Sequence, residues 1–155
     1  MSVAFRRESD EEHMEPKFEL PLPAGPNMVT ARGLALIEAK EAELEAAVAA
    51  ETEEEPRKML KRELRYWQTR RATARIAPQP EEGVAAIGAR VTIKLAGKTR
   101  TIDIVGHDEA DPSADRVAFS APLAKAMIGA EEGERVDFNG KAEAIEIVSV
   151  TAIPG

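Results

Sequence analysis

The residues between Thr30 and Ile76 limit what this chain can become more than any others. Leu34, Ile37, Glu41, Leu44 and Val48 recur at spacings of three and four, as do Leu60, Leu64, Trp67, Arg71 and Ala74. That spacing keeps one face of a helix toward a partner along a shared seam. Between the two runs lies Glu51-Thr52-Glu53-Glu54-Glu55-Pro56. The spacing therefore predicts an antiparallel coiled-coil hairpin within one chain, reversing near Ala50 to Thr52. Thr52, with Glu55 three residues later, reads as a capping box that starts the second helix, and Pro56 falls in its first turn. The first helix carries Glu38, Glu41, Glu43 and Glu45. The second carries Arg57, Lys58, Lys61, Arg62, Arg65, Arg70, Arg71 and Arg75. Opposite signs favour this pairing over self-association of either helix. An exposed ion pair contributes only about 0.2–1 kcal/mol, so the apolar seam must supply most of the stability.

The totals exclude several classes. A chain of 155 residues holds one ordinary domain or two small ones. Its net charge of −7 argues against general nucleic-acid or anionic-membrane binding, which needs a basic surface. The absence of cysteine removes disulfides, thiolate chemistry and sulfur-bound zinc. No apolar run is long enough to span a bilayer, and Met1 to Glu15 lacks the basic-then-apolar pattern of a signal peptide. A cytoplasmic protein with no membrane partner is expected.

Taken in order, residues 1–29 are rich in acidic residues and proline and show no period, so they read as an extended arm. Phe5, Phe18, Leu20 and Leu22 are its only candidates for pinning it to a folded surface. The hairpin takes 30–77, and Pro78-Gln79-Pro80-Glu81-Glu82-Gly83 forms a linker over 78–83. From 84 to 155 the period changes to two. Strands are predicted at Val91–Leu95, Thr99–Val105, Val117–Phe119, Val136–Phe138 and Ala144–Ile153, with a tight turn at Asn139-Gly140. Ser120 is expected to cap a short helix over Ala121–Ile128 that Gly129 closes. The fold class is α+β: a helical hairpin followed by a small, mostly antiparallel sheet with one short helix.

Few residues suggest chemistry. Glu51, Glu53, Glu54 and Glu55 at the hairpin tip are hard oxygen ligands that suit Mg²⁺. The simpler reading is acidic complementation of a helix start. The basic second helix is explained by its acidic partner, with Tyr66 and Trp67 the only aromatic residues available for base stacking. Trp67 falls on the seam and reads as core. The two histidines, His13 and His107, are far apart in sequence, and His107, Asp108, Glu109 and Asp111 read as a solvated loop rather than a cation site. No nucleophile motif or phosphate-cradling loop is present, so no catalytic residue, resident metal or cofactor is expected.

Two stretches carry a resemblance. Ile104-Val105-Gly106-His107-Asp108-Glu109-Ala110-Asp111, followed by Phe119 to Gly129 with its Pro122-Leu123-Ala124, resembles the C-terminal domain of the Gre transcription factors. Thr30-Ala31-Arg32-Gly33 is similar to the Thr-x-x-Gly start of the Gre hairpin. The resemblance implies an FKBP-like C-terminal domain that docks at the rim of the RNA polymerase secondary channel. Glu109, Asp111, Pro122 and Leu123 are then the expected polymerase-binding residues, and nucleic acid is met only through the polymerase. In that family the hairpin's acidic tip helps hold the second catalytic Mg²⁺, and the polymerase cleaves its own backtracked transcript.

The chain departs from the family at the tip, where nothing corresponds to the Gre sequence Gly-Asp-Leu-Lys-Glu-Asn-Ala-Glu-Tyr, and at Ala121, where Gre proteins usually carry Ser. Its short hairpin is similar to the regulators of nucleoside diphosphate kinase, which keep the docking domain and lack an active tip. The expected function is a monomeric, non-enzymatic polymerase-binding regulator that does not stimulate cleavage. The alternatives are a Gre-type cleavage factor using its tip carboxylates, a prolyl isomerase by fold analogy alone, and a coiled-coil protein with another partner.

Overall fold

A computed structural model describes residues 19–154. The chain divides into two units, Met1–Ala24 with Ile37–Thr73, and Gly25–Leu36 with Ala74–Gly155. Phe5, His13 and Phe18 lie outside the described residues.

The helical unit is built from α1 (Ala31–Ala50) and α2 (Glu54–Thr73), each of 20 residues. At 1.5 Å per residue each helix is about 30 Å long. Ile37 and Leu44 are buried on α1, while Leu60, Leu64 and Trp67 on α2 are half-buried. Glu41 stands between Ile37 and Leu44 and is only 8% exposed. A carboxylate is tolerated there because Arg71 Nε donates to Glu41 Oε1, bridging the two helices. The same contact raises the Arg71 pKa further above its already high value. Arg70 is the buried arginine of the pair and Arg71 the exposed one.

One expectation about the reversal changes. α2 begins at Glu54, so Thr52 lies outside the helix and does not cap it. Glu51 instead turns its carboxylate onto the backbone N–H of Glu53, 3.0 Å away. A carboxylate two residues back closes the turn more directly than the Thr52 hydroxyl. Leu20 and Leu22 are exposed. The polar Glu19 pins this part of the arm, accepting from Arg65 Nε at 2.9 Å.

The second unit opens with a pair absent from the sequence reading. β1 (Met28–Val29) lies parallel to β2 (Arg75–Ile76), so what had read as featureless arm ends in a strand with Val29 buried. The main sheet contains β3 (Ala89–Leu95), β4 (Lys98–Val105), β5 (Arg116–Ala118), β6 (Arg135–Phe138) and β7 (Lys141–Ala152). Its strand order is β5-β4-β3-β7-β6. All pairings are antiparallel except β4 with β5, so the sheet is mixed. Ala96-Gly97 and Asn139-Gly140 make two-residue turns with both central residues at positive φ, the geometry that matches strand twist.

The alternation of β7 shifts by one residue part-way. Thr92 faces Ser149 but Ile93 faces Ile147, which leaves Val148 as the extra residue of a bulge. Ile145 and Ile147 lie on the core side before it, and Val150 after it, while Val148 stays 41% exposed. Ile93, Ile102, Ile104, Ile145, Ile147 and Met127 are fully buried together. Each such side chain contributes about 1.5–3 kcal/mol, so this layer outweighs the surface ion pairs. α3 (Pro122–Met127) covers it with Ala124 and Met127.

Candidate functional site

β4 leaves the sheet at Val105, and Gly106 leads into a single 3₁₀ turn, His107–Glu109. A Cβ at Gly106 would lie 2.4 Å from the backbone oxygen of Met28, so the turn and β1 meet only because this residue has no side chain. Glu109 is then carried inward and is 5% exposed. Thr30 Oγ1 donates to its Oε1 at 2.6 Å, and Arg32 donates to its Oε2 at 2.9 Å. Thr30 Oγ1 also accepts the Gly33 N–H at 3.0 Å, which makes Thr30 the N-cap of α1. Gly33 completes the junction, since a Cβ there would stand 2.9 Å from Glu109 Oε1. The two stretches that carried the resemblance are thus joined through one carboxylate.

This corrects the reading of His107 to Asp111 as a solvated loop. His107 Nε2 and Ser120 Oγ are hydrogen-bonded at 2.6 Å, and the His107 ring packs on Phe119 with centroids 4.9 Å apart. Ser120 is therefore not the cap of α3. The residue before the helix is Ala121, which offers no side-chain cap, and Pro122 needs no N–H partner at the first helical position. Asp111 caps a second 3₁₀ turn, Pro112–Ala114, accepting from Ser113 N at 3.1 Å and Ser113 Oγ at 2.7 Å. Those bonds, with Arg116 nearby, hold its carboxyl below the usual carboxylate range.

Of the four expected contact residues, Glu109 is taken up internally and Asp111 is half-buried in its own turn. Pro122 is exposed, and Leu123 is half-buried against the core. The His107–Ser120 bond ties the loop of Glu109 and Asp111 to the entry of α3, bringing the two pairs into one region. Beside it lies an apolar hollow of about 490 Å³ bounded by Met28, Pro78, Ile87, Phe119 and Ile128. Phe138 packs into the core instead. The sequence reading missed Thr30, Arg32 and Ser120 as structural partners. The one signal for the first two was Gly33, a poor helix former placed in a first helical turn.

The tip is built differently. Glu51 is committed to the Glu53 N–H, whereas Glu54 and Glu55 are largely exposed, with Lys58 Nζ at 3.6 and 3.7 Å. Among the described residues no three histidine, aspartate or glutamate side chains converge on a point suited to a metal ion.

The family described as the C-terminal region of the transcription elongation factors GreA and GreB matches residues 79–153. These residues form a Gre-family C-terminal domain. GreA from Thermomicrobium roseum is 41% identical over 61 residues, covering 37% of this chain and 39% of that protein. GreA from Agrobacterium fabrum is 40% identical over 65 residues, 38% of this chain and 41% of that protein. The chain thus spans about two fifths of the length of the curated Gre relatives it matches. Among solved structures, the GreA factor homolog 1 of Thermus thermophilus overlays 83% of this chain and all of its own at 15% identity, with a TM-score of 0.38. A GreA/GreB factor from Nitrosomonas europaea overlays 83% of this chain and 99% of its own at 16% identity, with a TM-score of 0.40.

Proposed function

We propose that this chain is an RNA polymerase-binding regulator that docks through its Gre-family domain at the secondary-channel rim and does not stimulate transcript cleavage. The observation that carries the reading is the pairing of a complete Gre-type motif junction with a hairpin whose helices have only 20 residues each. A carboxylate shares a Mg²⁺ ion only at about 2.1 Å. A finger about 30 Å long falls short of a centre that longer relatives reach. Pro122, with Leu123 behind it, supplies apolar contact, and Asp111 lies in the same region. Glu109 acts indirectly, by fixing the turn that displays them. The likeness to the named GreA factors supports the choice of partner.

The exposure of Glu54 and Glu55 favours a second reading, in which the tip still serves as a metal ligand during cleavage. Polymerase stalled in a backtracked complex separates the two. Under our reading the protein binds, and the transcript keeps its length. Rapid shortening that vanishes when Glu51, Glu54 and Glu55 become Ala would establish the second reading instead.

A further inference from the structure

One edge of the main sheet is only partly closed. β5 pairs with β4 from Asp103 to Val105, and among the described residues no strand pairs with the outer side of β4 from Lys98 to Ile102. The Asp103 N–H donates to the Asp115 carbonyl at 2.9 Å, so Asp103 turns its backbone groups away from β3. Along an antiparallel strand every second residue does the same, which sends the N–H and C=O groups of Thr99 and Thr101 outward as well. The Thr92 and Thr101 hydroxyls, 3.0 Å apart, fit the close spacing of a pair that exchanges no backbone bonds. Lys98, Thr99, Arg100 and Thr101 are all exposed. Lys98 is about 23 Å along β4 from Val105, so this edge stands apart from the region of Pro122 and Leu123.

The side chains around these outward groups are basic. Lys98 and Arg100 lie on the face that continues into the buried Ile102 and Ile104, while Thr99 and Thr101 lie on the other, with Lys94 across from Thr99. Arg100 meets the Asp115 carboxylate at 3.0 Å, and among the described residues Lys94 and Lys98 have no ion pair. Cations on a sheet edge turn some strands away, and their spacing decides which. A second copy of this chain is one of those turned away. Antiparallel pairing of two such edges sets residues of the same face opposite each other. It therefore brings Arg100 against Arg100 or Lys98 against Arg100, and like charges directly opposite are destabilising. A strand with carboxylates at alternate positions makes the favourable match, and its remaining side chains fall beside Thr99 and Thr101, where β-branched residues pack well.

We propose that the Lys98–Thr101 edge of β4 takes up an extended acidic segment of a partner protein as an added strand, with a carboxylate at every second residue facing Lys98 and Arg100. The backbone groups of Thr99 and Thr101 hold the segment, and the two cations select it and fix its register. The added strand continues the line of β5 along the half of β4 that β5 leaves open.

The test uses the full chain and a fluorescein-labelled peptide of alternating Glu and Thr, with an alternating Lys and Thr peptide as its counterpart. The acidic peptide is expected to bind by fluorescence anisotropy and to slow hydrogen exchange at the Thr99 and Thr101 amides. The amides of Arg135 and Asp137, on the opposite edge of the sheet, should exchange as before. The K98E/R100E variant should weaken binding about tenfold or more, and the milder K98Q/R100Q variant should weaken it in the same direction. Thr101→Pro removes an outward N–H while leaving the pairing with β3 in place, so it should weaken binding several-fold with every charge intact. Unshifted Ile93 and Ile145 amide signals verify that each variant keeps its sheet. Absence of protection at Thr99 and Thr101 overturns the proposal, as does equal affinity for the Lys peptide. Undiminished binding by Thr101→Pro also overturns it, since adhesion would then be by charge alone. Protection of the same amides that grows with chain concentration and needs no peptide would make a second copy the occupant instead.

Discussion

Two carboxylate clusters in this molecule look alike as sequence and behave oppositely as structure. Asp108, Glu109 and Asp111 follow β4; Glu51, Glu53, Glu54 and Glu55 form the hairpin tip. In the first, Glu109 is buried, receives two side-chain hydrogen bonds and forces glycine on a residue 76 positions earlier. In the second, Glu54 and Glu55 stand in solvent beside one lysine. The difference lies in the neighbouring small residues. A carboxylate becomes part of the architecture where backbone can approach it closely, and Gly33 and Gly106 provide that approach. No glycine lies near the tip.

The largest expected effect is at Gly106. Gly106→Ala drives a Cβ against the Met28 carbonyl, which is backbone and cannot swing aside, so we expect a loss of about 2–4 kcal/mol in urea unfolding. A loss under 0.5 kcal/mol would mean that the approach of β1 does not constrain the turn. Next comes Glu109→Ala, which leaves Thr30 Oγ1 and Arg32 without their acceptor and is expected to lose about 1.5–3 kcal/mol. Its local signature is faster hydrogen exchange at the Gly33 and Leu34 amides, where the first turn of α1 is capped.

Asp111 gives a smaller, pH-dependent effect. Its carboxyl is lowered in the folded state, so its contribution is present above the unfolded value of 3.8 and fades as pH falls through the lower folded value. Asp111→Asn should therefore flatten the fall of stability below about pH 4 and leave the slope between pH 6 and 8 unchanged. The smallest effect is expected at the tip. Changing Glu54 and Glu55 together to Ala should leave the thermal midpoint within scatter. A drop comparable to that of Glu109→Ala would erase the contrast between the clusters.

Periodicity made much of this readable. The three-four spacing found both helices, and alternation found β3, β4, β6 and β7, because burying one face imposes a regular pattern. Strand direction leaves no such mark, so the parallel pairing of β4 with β5 was not legible. β1 and β2 were lost because two residues are too few to show a period. Val148 hid a bulge inside what reads as simple alternation. Ser120 and Thr52 read as caps because hydroxyls before helices usually are; here His107 claims one, and the Glu51 carboxylate closes the turn beside the other. Glu109 was least legible of all. A charged residue in an acidic loop reads as solvated until its distant donors, Thr30 and Arg32, are placed beside it.

The short parallel pair has a wider implication. The N–H groups of Arg75 and Ala77 donate to the carbonyls of Asn27 and Val29, so the chain is fastened to itself where it departs for the helices and where it comes back. Everything between those fastenings is an excursion whose length the sheet does not sense. Heptads can be added or deleted there, lengthening or shortening the hairpin, while the sheet folds unchanged.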